Sequence, residues 1–463
     1  MRRLLVATLF GVLGLFLWGT LLPSPISSLS AATPTAPTFN KDVLPILQQN
    51  CQECHRPGAI APMSFMTYKD ARPYARAIAK ATVAKTMPPW FADPSVGHFK
   101  NAKILSDDQI ATLSAWAEQG AVEGAAKDKP APVEFVDGWT IGKPDIIVKY
   151  PRPIEIPATG IVDQSNVLVY AHFDHDMWVQ AAQVLPGNPK VVHHMKAWIR
   201  PPGSAWMKDA PEGVLYNPPR GQAGQVGAVA ETVKVSASGI MPVQDILAKY
   251  NPGVEGQEFT EGNAAKFIAA GSDIVFESHY TTDGKPELDQ SAVGIVLAKA
   301  PPQQRHITTT AISERRFEIP AGNGNYEVDG EVTINAPAKL VWIQPHMHYR
   351  GKDYTLTAVY PSGETVTVLK VPTYRFDWQV GYELATPLDL PKGTMLKTVS
   401  HYDNSTANKF NPDPTKNITY GAQSWDEMNV SFVGIVVDPK ADPTRVFNAG
   451  RGAAAAPVPI EKE

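Results

Sequence analysis

Cys51-Gln52-Glu53-Cys54-His55 contains the only two cysteines of this 463-residue chain. Cys-x-x-Cys-His is the attachment signature of c-type haem, in which two thiols bond to the macrocycle and the imidazole ligates the iron. A reduced dithiol is the alternative interpretation of two cysteines at this spacing. The motif therefore divides the chain into a small region around the haem site and a much longer remainder that has no cysteine for a disulfide.

The residues around the motif predict a short helical domain. An amphipathic pattern over 43–47 indicates a helix that ends just before the motif. A second helix is expected after Ser106, because Gln109 three residues later completes a capping box and Gly120 is placed to end the helix. Residues 38–125 resemble a small class I cytochrome c, which implies an all-α domain.

The second axial ligand of such a haem comes from elsewhere in the domain. We expect Met87, because it lies in Thr86-Met-Pro-Pro-Trp90, where the prolines stiffen the loop. The other candidates are Met63, Met66 and His98. A packing role for Met87 is the alternative.

The N-terminus predicts export. Two arginines precede an apolar run from Leu4 to Leu22, and small residues follow at 27–32. Residues 1–32 are therefore predicted to be a signal peptide, or a membrane anchor if the segment is retained. Either places the protein in the periplasm or another extracytoplasmic compartment, which agrees with the haem motif because c-type haem is generally attached outside the cytoplasmic membrane.

Beyond residue 132 the composition favours β-structure. The 42 prolines and 34 glycines suit short strands and turns, and the net charge of −4 argues against a nucleic-acid partner. The length predicts two all-β sandwiches, at 133–300 and 303–442, and the Ala/Pro-rich tail 448–463 is expected to be disordered. The runs that predict strands are Asp145–Tyr150, Val167–Tyr170, Val191–Val192, Ile274–Phe276, Val293–Leu297, Leu356–Tyr360 and Val430–Val437.

Histidines in this β region form patterns that suit metal binding. His346 and His348 are two apart, so on a strand they project from one face and can bind one ion. His193 and His194 are adjacent, so they can share an ion only at a bulge or a strand end. Imidazole suits copper, zinc, iron or nickel, and a thioether such as that of Met428 shifts the preference to copper. Histidines held by ordinary hydrogen bonds are the alternative.

The order of these motifs resembles the copper type II, ascorbate-dependent monooxygenases, the family of peptidylglycine α-hydroxylating and dopamine β-monooxygenase enzymes. The chain has His193-His194, then His279-Tyr280, then His346-x-His348, and then Met428 after an acidic pair. The resemblance covers about residues 135–440. It implies two jelly-roll-like sandwiches with one copper ion in each, facing each other across a cleft.

The resemblance also implies a role for each motif. His193, His194 and His279 would hold an electron-transfer copper, and His346, His348 and Met428 would hold the copper that binds oxygen. Dioxygen and a small organic substrate would react so that one oxygen atom enters a C–H bond and the other leaves as water. An external donor, either an ascorbate-like reductant or a redox protein, would supply two electrons.

The chain departs from the animal enzymes at three points. Their disulfides are absent. Gln344 and Phe432 stand where peptide-amidating members have an Arg and a Tyr that anchor the substrate's carboxylate, so a peptide C-terminus is not expected. Glu277 replaces a Gln that often precedes the third histidine, and as a carboxylate it could orient His279. His401 is a further candidate for a position near the second copper.

The sequence therefore predicts an exported monooxygenase with two copper ions and one covalent haem c, in which the haem relays electrons to copper. The alternative is a non-catalytic haem and copper protein that transfers electrons or binds copper on the same scaffold.

Overall fold

The computed structural model describes residues 36–217, 236–251, 256–421 and 423–447. The predicted signal peptide or anchor at 1–32 and the predicted disordered tail at 448–463 lie outside these ranges. Among the helices within them, none has the length and apolar character of a membrane span.

The haem motif is surrounded by short helices. A π-helical turn, Phe39–Val43, leads into the first of them, and two 3-10 turns, Arg72–Tyr74 and Ala126–Asp128, lie in the same region. Their apolar faces share a buried core in which Phe39 packs against Trp116. The α-helices are α1 (Leu44–Asn50), α2 (Tyr68–Ala71), α3 (Ala75–Val83) and α4 (Asp107–Glu118).

The start of α4 is as the sequence predicts. The Ser106 hydroxyl accepts a hydrogen bond from the Gln109 amide, and the Gln109 side chain accepts one from the Ser106 amide, at 3.2 and 2.9 Å. Gly120 follows the helix with φ +89°, a conformation that favours glycine. Helices α2 and α3 were not predicted from the sequence, which indicates helices only before the motif and after Ser106.

The remainder of the described chain is almost entirely strand. Each run that the sequence predicts as a strand overlaps one in the structure. The strands are β1 (Ile146–Lys149), β2 (Ile154–Ile156), β3 (Ser165–Val169), β4 (Met177–Leu185), β5 (Val192–Arg200), β6 (Asp245–Tyr250), β7 (Gln257–Glu258), β8 (Ala264–Ile268), β9 (Asp273–Tyr280), β10 (Glu287–Asp289), β11 (Ala292–Leu297), β12 (Gln304–Glu314), β13 (Glu318–Ile319), β14 (Tyr326–Thr333), β15 (Ala338–His346), β16 (Gly351–Val359), β17 (Thr365–Val371), β18 (Tyr382–Leu390), β19 (Met395–Tyr402), β20 (Ile418–Thr419) and β21 (Asn429–Val437).

These strands build β-sandwiches. The sheet β3-β9-β5-β6 covers one part of a long nine-stranded sheet, and the sheet β14-β19-β16-β17 covers the other part. One apolar core lies under each four-stranded sheet. Two further two-stranded pairs, β2–β10 and β13–β20, add isoleucines to these cores: Ile154 and Ile156 to one, and Ile319 and Ile418 to the other.

The nine-stranded sheet joins the two halves. Its order is β1-β11-β4-β8-β12-β21-β15-β18, with β7 on β4, so strands from both halves share one hydrogen-bonded surface. The junction is a short parallel pairing of β8 with β12, at Ala264↔Gln304 and Ala265↔Arg305. Helices and strands together belong to one unit, Pro37–Glu463.

A buried ion pair lies at this junction. Lys266 and Asp245 have no exposed side-chain surface, and their Nζ and Oδ1 atoms are 2.7 Å apart. Lys266 also donates to the Thr308 hydroxyl at 3.1 Å, and the Thr308 amide donates to Asp245 at 2.9 Å. Burial raises the pKa of Asp245 and lowers that of Lys266, and their mutual attraction counters both shifts.

We predict that Lys266→Met lowers the free energy of unfolding by about 3–5 kcal/mol, because it leaves a buried carboxylate without its partner. Adding Asp245→Asn should recover part of this loss, since asparagine keeps an oxygen for the Thr308 amide. Urea unfolding gives the comparison. The control is Lys339→Met, which removes an exposed pair with Asp389 and should cost less than about 1 kcal/mol. Equal losses for the two lysine variants would show that the buried pair does not stabilise the junction.

Candidate metal centres

The first set of histidines lies where β5 pairs with β9. The register shifts between Val192 and His194, so His193 is the extra residue of a bulge, and His194 stands opposite His279. This bulge is the condition that adjacent histidines need to face one ion. The three ring centroids are 5.0–5.4 Å apart.

The first set has the geometry and charge of a metal site. One ligand atom from each of the three side chains lies within 4.8 Å of the others. The Nδ1 atoms of His193 and His194 are 3.2 Å apart, and the buried Nδ1 of His279 has no hydrogen-bond partner among the described residues. Burial lowers the pKa of all three and that of His279 to about 4, so the rings are neutral, as metal ligands must be.

The second set lies at the end of β15. His346 is the last residue of that strand and His348 follows it, with ring centroids 5.2 Å apart. His346 Nδ1 is 2.7 Å from Gln379 Oε1, and His348 Nδ1 is 3.2 Å from the Asp426 carbonyl. Because these oxygens only accept, each Nδ1 carries the proton and each Nε2 keeps its lone pair. Burial lowers the pKa of both rings, that of His348 to about 4.

Glu427 joins Met428 to this second set. One carboxylate oxygen accepts the amide protons of His348 and Met428, at 2.8 and 3.2 Å, and the other accepts that of Arg350 at 2.6 Å. Burial of this carboxyl raises its pKa to about 7. The backbone of Met428, just before β21, is thereby tied to the turn after β15 that carries His348. The half-buried Met428 side chain packs against the apolar cluster that contains Phe432.

The two sets approach each other closely. The Phe376 ring lies 6.1 Å from that of His193 and 5.9 Å from that of His348. It also packs against Tyr349, at 4.7 Å. One aromatic side chain therefore contacts both sets.

The Cys51–His55 motif presents a similarly oriented imidazole. His55 Nδ1 is 3.2 Å from the Met63 carbonyl, so the proton lies on Nδ1 and Nε2 keeps its lone pair. The ring stacks on Phe65 with centroids 4.2 Å apart. Burial raises the pKa of Cys51 to about 12.

The candidates for the second axial ligand have different surroundings. Met63 packs partly against the helical core, and Met66 is half-buried nearby. Met87 is half-buried on the segment that leaves α3, and His98 is exposed further along it. Ligation by Met87 stays a prediction.

Glu277 and His401 have roles other than those suggested by the sequence. Glu277 does not hydrogen-bond to His279; it accepts from Lys196 Nζ at 2.8 Å and from the Trp198 indole at 3.1 Å. His401 lies between the cross-strand carboxylates of Asp353 and Glu327, at 2.7 and 3.1 Å. Its neighbour Tyr402 points inward and donates to the Met428 carbonyl, so His401 faces away from the second set.

The two positions that differ from the peptide-amidating enzymes lie beside the second set. The Phe432 ring packs on that of His346, with centroids 5.8 Å apart. The Lys196 and Lys249 ammonium groups lie 4.8 and 5.9 Å from the centroid of the Phe432 ring. Gln344 accepts a hydrogen bond from Lys249 and donates to the Gln379 carbonyl. Both the oxygen and the nitrogen of its side-chain amide are therefore hydrogen-bonded.

Comparison with known proteins adds little. No family model and no curated protein matches the chain. A structure of infectious bursal disease virus Gx strain is similar at 9% identity and a TM-score of 0.18, covering 65% of this chain and 72% of that one. A Paenibacillus xanthan lyase gives 9% identity and a TM-score of 0.16, covering 69% of this chain and 28% of that one. Scores this low carry no argument about fold or function.

Two residues of the site lie in no motif that could have revealed them. Gln379 and Phe376 come from the loop between β17 and β18, far from any histidine in sequence. Glu427 belongs to the acidic pair before Met428, but no pattern in the sequence predicts its hydrogen bonds.

We predict that the metal-free protein loses stability as the pH falls below 6.5, because the unfolded histidines bind protons that the buried ones do not. With a folded pKa of about 4, His279 contributes to this loss down to that pH. In His279→Asn the loss between pH 7 and pH 5 should shrink by about 2 kcal/mol. Urea unfolding at both pH values measures it, with exposed His98→Asn as the control. An unchanged loss in His279→Asn would contradict the prediction.

Proposed function

We propose that the protein is a copper-dependent monooxygenase that also carries one covalent haem c. The observation that carries this proposal is that Phe376 contacts two histidine sets whose rings are buried or half-buried and have lowered pKa values. One set has three imidazoles. The other has two imidazoles and is tied to a methionine through Glu427.

The donor atoms fit the ions that we propose. His193, His194 and His279 would hold one copper ion, and His346, His348 and Met428 would hold the second. Cys51 and Cys54 would bind the haem covalently, with His55 as one axial ligand and Met87 as the other. Copper with imidazole and thioether ligands supplies the one-electron redox chemistry that activates dioxygen, and haem c supplies another one-electron centre.

The protein's own groups would prepare the second site. Gln379 and the Asp426 carbonyl hold the protons of His346 and His348 at Nδ1, so no proton must leave before a cation binds. Glu427 fixes the backbone that carries His348 and Met428. Phe376, Phe432 and Tyr349 give the surroundings an aromatic character that excludes water.

The substrate that these surroundings favour is an organic molecule with an apolar C–H group. Gln344 is engaged by Lys249 and Gln379, and Phe432 has no hydroxyl, so neither residue offers the carboxylate anchor of the peptide-amidating enzymes. The reaction consumes dioxygen, two electrons from an external reductant and two protons. It yields the alcohol and water.

We predict two copper ions and one iron per chain for protein produced by export with haem attachment. His194→Ala should reduce the copper content to one, because it removes the buried member of the first set. Elemental analysis together with the haem absorbance measures both. Zinc in place of copper, or no loss of copper in the variant, would overturn the metal assignment.

We also predict that Met428→Ala abolishes hydroxylation, measured as incorporation of labelled dioxygen into a panel of apolar substrates with ascorbate as reductant. The thioether is the only soft ligand of the second set. Met395→Ala, on β19, is the matched control and should stay active. Haem content and thermal unfolding confirm that both variants fold. No hydroxylation by the copper-loaded parent protein would favour the non-catalytic alternative, and unchanged activity in Met428→Ala would overturn the assignment of Met428 as a ligand.

A further inference from the structure

Gln379 has a buried side chain and an uncommon backbone conformation. It is only 6% exposed, and its φ of +41° lies in the left-handed region that non-glycine residues seldom adopt. Such a conformation persists only where the surrounding structure imposes it. Its Oε1 is 2.7 Å from His346 Nδ1.

The first restraint on Gln379 is a hydrogen bond from Gln344, which is itself held by Lys249 of the other sandwich. Gln344 Nε2 donates to the Gln379 carbonyl, and Gln344 Oε1 accepts from Lys249 Nζ at 2.7 Å. The same ammonium group lies 3.3 Å from the centroid of the Trp342 ring. Lys249 belongs to β6, so a hydrogen-bonded chain from β6 ends at His346.

The second restraint comes from the haem region. Residues 93–101, here called the strap, leave the helices and run along the edge of the second sandwich, where Phe99 forms a bridge with Leu384. Asn101 Nδ2 donates to the Gly381 carbonyl at 2.8 Å, and Asn101 Oδ1 accepts from the Glu383 amide at 3.0 Å. These contacts fix the chain two residues beyond Gln379.

The strap also holds the other end of the same loop. The Asp93 amide donates to the Lys370 carbonyl at 2.8 Å, and the two side chains are 3.5 Å apart. Lys370 is near the end of β17, and Gly381 directly precedes β18. The loop that carries Gln379 is therefore braced at both ends by the strap.

We propose that Gln379 is a positioning residue that fixes the tautomer and ring orientation of His346, and that the strap holds Gln379 in place. This inference rests on the proposed function, since it assigns a role toward the second copper. By accepting the Nδ1 proton, Gln379 keeps Nε2 as the ligand atom. The haem region thereby contributes structurally to the second metal site.

The test is the Cu(I) affinity of the second site, measured by competition with a chromophoric chelator in a His194→Ala background. Gln379→Met keeps the volume but removes the acceptor, and should weaken binding about 10–100-fold. Gln379→Glu keeps an acceptor oxygen and should stay within a few-fold of the parent. Equal affinities for the Met variant and the parent would overturn the positioning role, as would equal losses for Met and Glu.

A second comparison tests the strap. Asn101→Ala should weaken copper binding in the same direction, by less than Gln379→Met, because one of the two restraints remains. Lys100→Ala is the matched control, because its side chain pairs only with exposed Glu261 at 2.6 Å. Equal affinities for both strap variants would overturn the role of the strap. If the background protein binds no copper at all, the proposed function itself fails, which is a different outcome from an unaltered affinity.

Discussion

The buried pair Lys266–Asp245 is the constraint on which the relation of the two sandwiches depends. It lies beside the short β8–β12 pairing, and Thr308 of β12 hydrogen-bonds to both partners. Two residue pairs of parallel ladder are too few to orient two sandwiches alone. An ion pair without solvent has a narrow range of acceptable geometry, because any separation leaves two buried charges uncompensated. It acts together with apolar contacts across the junction, where Trp198 and Ile246 of the first sandwich share a buried cluster with Val430 and Phe432 of the second.

The two histidine sets differ in how far they are organised without metal. In the second set, each Nδ1 has an oxygen acceptor, from Gln379 or Asp426, so tautomer and orientation are fixed beforehand. His55 is held in the same way by Met63. In the first set, two Nδ1 atoms face each other and that of His279 lacks a partner among the described residues. A cation bound there would give these nitrogens a partner that the protein does not supply. Metal binding at the first set should therefore stabilise the folded protein more than binding at the second.

Much of the architecture could be predicted from local sequence patterns, but the residues that surround the candidate site could not. Periodicity predicted the strands, and the capping box predicted the start of α4. If His193 and His194 share an ion, their adjacency requires a bulge or a strand end, and β5 contains a bulge there. The residues that complete the site could not be predicted in this way. Gln379 is 33 positions from His346, and Asn101 is 280 positions from Gly381. Contacts over such separations depend on sheet order, and no period or spacing encodes that order.

Glu277 illustrates how a site can depend on a residue that does not face it. Burial is the main cause of the lowered pKa of His194, His346 and His348, and the Lys196 ammonium group, which is close to both sets, lowers it further. An uncompensated ammonium group there would also repel any cation bound by these imidazoles. Glu277 is the cross-strand partner of Lys196 and pairs with it at 2.8 Å, with both side chains nearly buried. The carboxylate therefore offsets an ammonium charge that acts on both histidine sets, although it makes no hydrogen bond to any of their rings among the described residues.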